Sequence, residues 1–202
     1  MKYSADDGAT WQNVVILPGE PFQPYVTDLI VEPSGDLIAS SYNGNFRSQD
    51  GGDTWALLNV PFGSYGGDLQ MAFTASAIFA TNNDCNADMF TRSTDNWATW
   101  ENLDSKFTQP TVNTIYKDPS GNLYAQTCDL EMQRSSDGGG TWQPFLMPNG
   151  QPALQVTNNG LGHLFVAVSD SLYRSTDAGA TWVKTLIQKH PIHFFDTCRY
   201  GF

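Results

Sequence analysis

Short apolar-alternating runs, each closed by a tight turn, recur along the chain. Residues 26–31 read Val-Thr-Asp-Leu-Ile-Val, a turn Pro-Ser-Gly follows, and an alternating run begins at Leu37; the same order returns as 112–117, Pro-Ser-Gly and Leu123. Weaker versions start near Asp68 and Leu154. Each reads as a strand, a turn and a second strand, which together predict a hairpin. A third short strand follows, as at residues 45–48 or 172–175, and a fourth is predicted some eight residues later. No segment carries a helical period, so the expectation is all-β with four strands per repeat.

Between the third and fourth strands lies a fixed octapeptide, Ser-x-Asp-x-Gly-x-Thr-Trp, at residues 4–11, 48–55, 93–100, 135–142 and 175–182. Its aspartates, Asp6, Asp50, Asp95, Asp137 and Asp177, are 44, 45, 42 and 40 residues apart, the length of one four-stranded propeller blade. A short Asp in a tight turn accepts hydrogen bonds from the N–H groups after it, Gly permits positive φ, Ser and Thr hydroxyls bond locally, and the Trp supplies a large buried face. Trp11, Trp55, Trp100, Trp142 and Trp182 are therefore expected to be structural. The third copy departs from the pattern, with Trp97 in the glycine position, which puts its turn geometry in question.

With these boxes the sequence resembles the Asp-box family, also called bacterial neuraminidase repeats, over essentially its whole length. The resemblance implies a β-propeller with the box between the third and fourth strands of each blade. The same repeat is shared by sialidases, xyloglucan-degrading glycosidases, sortilin-type receptor ectodomains, photosystem assembly factors and secreted bacterial proteins, so fold alone does not select a function. Residues 1–202 are expected to form one propeller domain: four complete blades and two half-blades, one at each end. The half-blades could close as a composite fifth blade, with residues 192–195 joining residues 2–4. The alternatives are an open fragment of a larger propeller, or pairing between chains as a homo-oligomer.

Composition narrows the partners. A net charge of −11 across 202 residues argues against nucleic-acid phosphate and anionic lipid. No apolar run reaches membrane-spanning length, so membrane insertion is not expected, and no basic-then-apolar leader opens the chain. The family resemblance nevertheless points to an extracellular, periplasmic or cell-surface location. Three cysteines, Cys85, Cys128 and Cys198, have no CxxC spacing. Cys85 and Cys128 occupy similar places in neighbouring repeats, and a bridge between them is not expected.

Strand alternation places the boxes and first hairpin turns at one end of each blade, with the entry loops and the turns between second and third strands at the other. In the family the second end carries the ligand site. Entry loops here are rich in Pro and aromatics: Phe22 and Tyr25 in one, Phe62 and Tyr65 in the next. These four rings suit stacking on sugar rings, although capping the core where blades meet is the more ordinary use of such rings; Tyr42, on a turn between second and third strands, is a further ligand-binding candidate. Asp84, Asp88, Asp129, Glu131 and Asp170 fall on the other turns of that end; such oxygens could hold calcium or could be ordinary solvated turn residues.

A sialidase-like site would need three arginines on the substrate carboxylate, and Arg47, Arg92, Arg134 and Arg174 all immediately precede box serines, leaving Arg199. No carboxylate pair stands out for inverting glycoside hydrolysis. His163, His190 and His193 have no metal-ligand spacing, and no catalytic residue or metal site is assigned. The reading that results is a noncatalytic binding or scaffold module recognising glycan or extracellular protein, with two alternatives: a fragment of a glycoside hydrolase propeller, and a self-assembling structural propeller.

Overall fold

The computed structural model describes residues 1–20, 22–61, 69–82, 89–107, 111–147, 150, 155–159, 161–168 and 171–187. Four four-stranded meanders follow one another. The first is β3 (Val26–Val31), β4 (Leu37–Ser41), β5 (Gly44–Ser48) and β6 (Ala56–Leu58); the second is β7 (Leu69–Phe73), β8 (Ile78–Asn82), β9 (Thr91–Ser93) and β10 (Glu101–Asn102). The third is β11 (Val112–Lys117), β12 (Leu123–Thr127), β13 (Met132–Ser135) and β14 (Gln143–Pro144), and the fourth is β15 (Gln155–Asn158), β16 (Leu164–Val168), β17 (Ser171–Ser175) and β18 (Val183–Ile187). They are preceded by a two-stranded hairpin, β1 (Lys2–Tyr3) with β2 (Gln12–Asn13). A 3-10 turn spans Asp104–Lys106. These are the four expected propeller blades, and every box joins a third strand to a fourth. The hairpin β1–β2 carries its box in the same place and is the expected N-terminal half-blade; of the expected C-terminal piece after Trp182, residues 183–187 form the fourth strand of the fourth blade, and the strand expected at 192–195 lies outside the described residues.

Burial explains the strand order. All five residues of β8 and of β12 are buried, whereas both residues of β10 and of β14 are exposed. Second strands, covered on both faces, take apolar or small side chains; outer strands contact water and are short and polar. The chain divides into two compact units, Met1–Leu69 and Gln70–Phe202. In the first, Ile16, Ala39 and Phe46 form the core with Val14, Leu17, Val26 and Trp55 around them. In the second, Phe79, Phe90 and Phe107 of the second blade pack on Trp142 of the third, and Tyr124, Met132 and Met147 of the third blade pack on Leu164, Val166 and Val168 of the fourth.

The boxes are turn clamps with one geometry. In all five the Asp Oδ1 accepts the Thr N–H at 2.8–2.9 Å, and Oδ2 accepts the Thr hydroxyl at 2.5–2.7 Å. The Ser hydroxyl donates to Oδ1 and accepts the N–H of the fifth residue. Trp97 keeps this frame: its N–H reaches Ser93 Oγ at 3.0 Å and its φ is +76°. The turn geometry thus survives the missing glycine, because local hydrogen bonds hold the left-handed conformation against its steric cost. The tryptophans are less uniform than expected. Trp142 is buried, but Trp11 is 60% exposed, a correction to its expected buried role; no strand pair like those of a complete blade flanks β1 and β2 among the described residues.

Four of the five box serines follow an arginine, and Arg47, Arg92 and Arg134 among them make structural contacts. Arg47 lies 2.8 Å from both Glu32 and Asp36, on either side of the Pro-Ser-Gly turn. Arg134 donates to Asn122 at 3.0 Å beside the matching turn, and its guanidinium stands over the Tyr124 ring. Arg92 has no such acid on the Thr74–Ala77 turn and pairs instead with Glu101 on β10. At the third-blade turn burial, with Asp118 adding to it, pushes Tyr116 up to about 12 and Tyr124 up as well, so both phenols stay neutral.

The clamps carry a pH signature. Hydrogen bonds, chiefly from the box threonines, hold all five aspartates below the ordinary value of 3.8, with Asp50 and Asp177 at about 2. A depressed carboxylate stabilises the folded state above its unfolded pKa and loses that contribution as pH falls through the folded one. We therefore expect a thermal midpoint that changes little due to these groups above about pH 5 and falls steeply between about pH 4 and 2. Asp50→Asn with Asp177→Asn should flatten that fall. An unchanged slope in the double variant would remove the boxes as its cause.

Candidate functional site

The loop end of the first blade presents aromatic rings from two pinned segments. The segment 17–25 carries Pro18 and Pro24, each restricting φ, and Gln23 ties it back to Ile16 and Leu17, after β2. Gln23 Oε1 accepts the N–H groups of Ile16 at 2.8 Å and Leu17 at 3.0 Å, while Nε2 donates to the Leu17 carbonyl at 2.8 Å. Pro24 is buried beneath, and Phe22 and Tyr25 on either side are 86% and 72% exposed. A register shift between Val26 and Asp28 marks a bulge at the start of β3, directly after Tyr25; bulges of this kind re-aim the chain at an element's end.

The facing turn joins β4 to β5. Ser41 Oγ donates to the Gly44 carbonyl at 2.8 Å and accepts the Asn43 N–H at 3.1 Å, and Gly44 adopts φ +131°. Tyr42 projects from this turn, half exposed, and its ring lies 6.0 Å from that of Tyr25 at an interplanar angle of 22°. The two rings form a near-parallel pair open to solvent. Phe22 and Tyr25 are thus exposed rather than part of the first blade's core.

Phe62, Tyr65, Asp84, Asp88 and Asp170 lie outside the described residues. Asp129 and Glu131 are exposed on the β12–β13 turn, and among the described residues no group of three or more His, Cys, Asp or Glu gathers as a metal site. His163 Nδ1 lies 3.2 Å from the Asn159 amide as a local turn contact, while His190, His193 and Arg199 fall outside the described residues. Cys128, on the same turn as Asp129, is disulfide-bonded to a sulfur outside the described residues. The cysteine spacing is not read as predicting a disulfide, because closure depends on how near two Cα atoms come in space. The Gln23 clamp was equally invisible; a glutamine between two prolines reads only as loop composition.

Comparison with known proteins bears on the fold first. No family model matches the chain. A xyloglucanase from Paenibacillus sp is 33% identical over a region covering 67% of this chain and 12% of the xyloglucanase. Among solved structures, YCF48 bound to D1 peptide superposes with a TM-score of 0.69 at 18% identity, covering 96% of this chain and 64% of that one. An ancestral GH74 enzyme gives 0.64 at 17% identity, over 91% of this chain and 28% of its own. The extracellular domain of a one-component system from B. thetaiotaomicron gives 0.66 at 12%, over 90% of this chain and 25% of its own. The chain therefore spans about an eighth of the xyloglucanase and less than two thirds of YCF48. No helix among the described residues is long and apolar enough to cross a membrane. The likeness to these structures establishes a β-propeller fold.

Proposed function

We propose that the chain is a noncatalytic binding module of an Asp-box propeller protein working outside the cytoplasm, and that the loop end of its blades is the contact face. The observation that carries the reading is the first blade's loop end, where exposed rings are held by a glutamine clamp and a serine-pinned turn. Such pre-organisation lowers the ordering cost of binding. The opposite end is occupied by the box clamps, and Arg47, Arg92 and Arg134 are engaged in ion pairs or hydrogen bonds within their blades. The Cys128 disulfide fits an oxidising compartment. That one structural neighbour is an extracellular domain is consistent with this placement.

A second reading has its own support. Similarity to a xyloglucanase, at 33% identity over an eighth of that enzyme, favours this chain being part of a glycoside hydrolase propeller whose reacting carboxylates lie elsewhere. The loop end would then be a stretch of substrate cleft rather than an independent receptor. A screen of the purified chain against glycan and peptide arrays, with and without calcium, tests the shared claim of a loop-end binding face. Selective binding is expected, weakened about tenfold by Gln23→Ala, which releases the entry loop without touching the boxes. Indifference of a selective binder to Gln23→Ala would place the contact face elsewhere.

A further inference from the structure

We infer that copies of this chain associate head to tail, Phe165 on the fourth blade of one copy seating over Gly8 and Trp11 in the first box of the next. The inference goes beyond the binding-module reading, because it uses the flanks of the repeats and leaves their loop end free. The second compact unit shows how such flanks meet within one chain. Trp142 and Gly139, in the third blade's box, lie against Phe90, Phe107 and Phe79 of the second blade. Trp182 and Gly179, in the fourth blade's box, lie against Phe145 of the third. A box glycine and tryptophan thus receive an aromatic ring from the preceding blade.

The first box has the same two residues without that ring. Trp11 is the one exposed box tryptophan, and a Cβ at Gly8 would meet no described atom within 4 Å except on Trp11 itself. On the first blade, Leu29 is 46% exposed, whereas Ile115 at the same register position of the third blade is 4% exposed against the second. The fourth blade carries the matching flank. Phe165 pairs with Arg174 as Phe79 pairs with Arg92, so it holds the position from which Phe79 meets the next box; Phe79 is fully buried and Phe165 only partly. Its row continues through Arg174 and Val183, both exposed. Asn159 and His163 stand at the turn positions of Glu32 and Asp36, so the fourth turn offers Arg174 no carboxylate like those that hold Arg47. Asp7, exposed next to Gly8, supplies one at the opposing flank.

Charge selects the order of the contact. Residues 1–69 contain nine acids and two bases, a net charge of −7, whereas residues 155–187 contain two of each. Two acidic first units would repel one another, while the fourth blade, neutral and with Arg174 and Lys184 exposed, complements them. Both flanks are exposed in the same chain, and a second copy offers each its counterpart. Such a heterologous contact repeats from copy to copy.

The test is light scattering of the whole chain across a range of concentrations, compared with Trp11→Ala and Val183→Glu, which spoil opposite halves of the contact. The parent's mean mass should rise above that of one chain with concentration, and each variant should associate about tenfold more weakly or worse. An equimolar mixture of the two variants keeps one intact pair of halves and should reach the mass of two chains and no more. Both residues are exposed, so the thermal midpoints should match the parent's. If a variant fails to fold, protection of Trp11 from hydroxyl-radical oxidation as the parent chain is concentrated gives the same decision, and undiminished oxidation overturns the contact. A parent that keeps the mass of one chain at every concentration overturns it, as does full association of the folded variants. Variants that stay single when mixed, while the parent associates, overturn the head-to-tail order. Every one of these results leaves the loop-end reading standing, since that reading is decided by ligand binding alone.

Discussion

Phe90→Ala should lower the free energy of unfolding by about 3–5 kcal/mol and the thermal midpoint by roughly 6–20 °C. Phe90 is fully buried just before β9, and its ring meets three others: Phe79 at 6.1 Å, Phe107 edge-on at 5.5 Å and Trp142 edge-on at 5.6 Å. Trp142 belongs to the third blade's box, so the lost ring would leave a cavity on the seam between two blades as well as within one. The backbone cannot readily close it, because the Phe90 N–H is held by Asp104 Oδ1 at 2.8 Å and its carbonyl by the Leu103 N–H at 2.7 Å. Denaturant melts of the purified variant give the number. A loss below about 1 kcal/mol would mean that the second and third blades do not share this aromatic core.

What the sequence disclosed about this core and about the site follows from how far apart the interacting residues lie. Each box clamp closes within eight residues, so its donors and acceptors can be read directly, and even the aberrant copy at Trp97 keeps its hydrogen bonds. The Arg47 contacts show an intermediate case. Its place before Ser48 marks it as structural, but its partners Glu32 and Asp36 become visible only when β4 lays the Pro-Ser-Gly turn beside β5. Tyr25 and Tyr42 were both legible as candidates, yet their contact spans seventeen positions and depends on the register that pairs Val26 with Ser41. The same limit applies to Trp142. The Trp55 and Trp182 indoles donate to the box glycine carbonyls, but the buried Trp142 Nε1 has no partner among the described residues and its ring joins Phe90 and Phe107. Packing across the seam between blades overrides the local motif there, and no local pattern encodes that.

Gly139→Ala, a single methyl group, should cost about 2–4 kcal/mol, whereas Gly8→Ala at the equivalent place in the first box should cost about 1. Both glycines are left-handed, at φ +86° and +87°, and so share the backbone strain of a Cβ. They differ in what that Cβ would meet. At Gly8 the nearest atom is on Trp11 at 3.8 Å, an ordinary contact, but at Gly139 two atoms of the Phe79 ring stand at 2.5 Å. Phe79 is fully buried against Phe90, so its ring cannot move aside without disturbing the same aromatic cluster. A Phe79→Leu background removes the obstructing ring atoms, and Gly139→Ala should cost roughly 1 kcal/mol less there than in the parent chain. Gly179 faces Phe145 ring atoms at 2.5 and 2.6 Å and should behave as Gly139 does. Trp97 marks the other limit: it occupies the same box position, buried, with its ring edge-on to Trp100 at 5.6 Å, so the box turn itself accepts a large side chain there. Glycine at the fifth box position is on this account required by the neighbouring aromatic as much as by the turn. Equal costs at Gly8 and Gly139 would assign the requirement to backbone conformation alone.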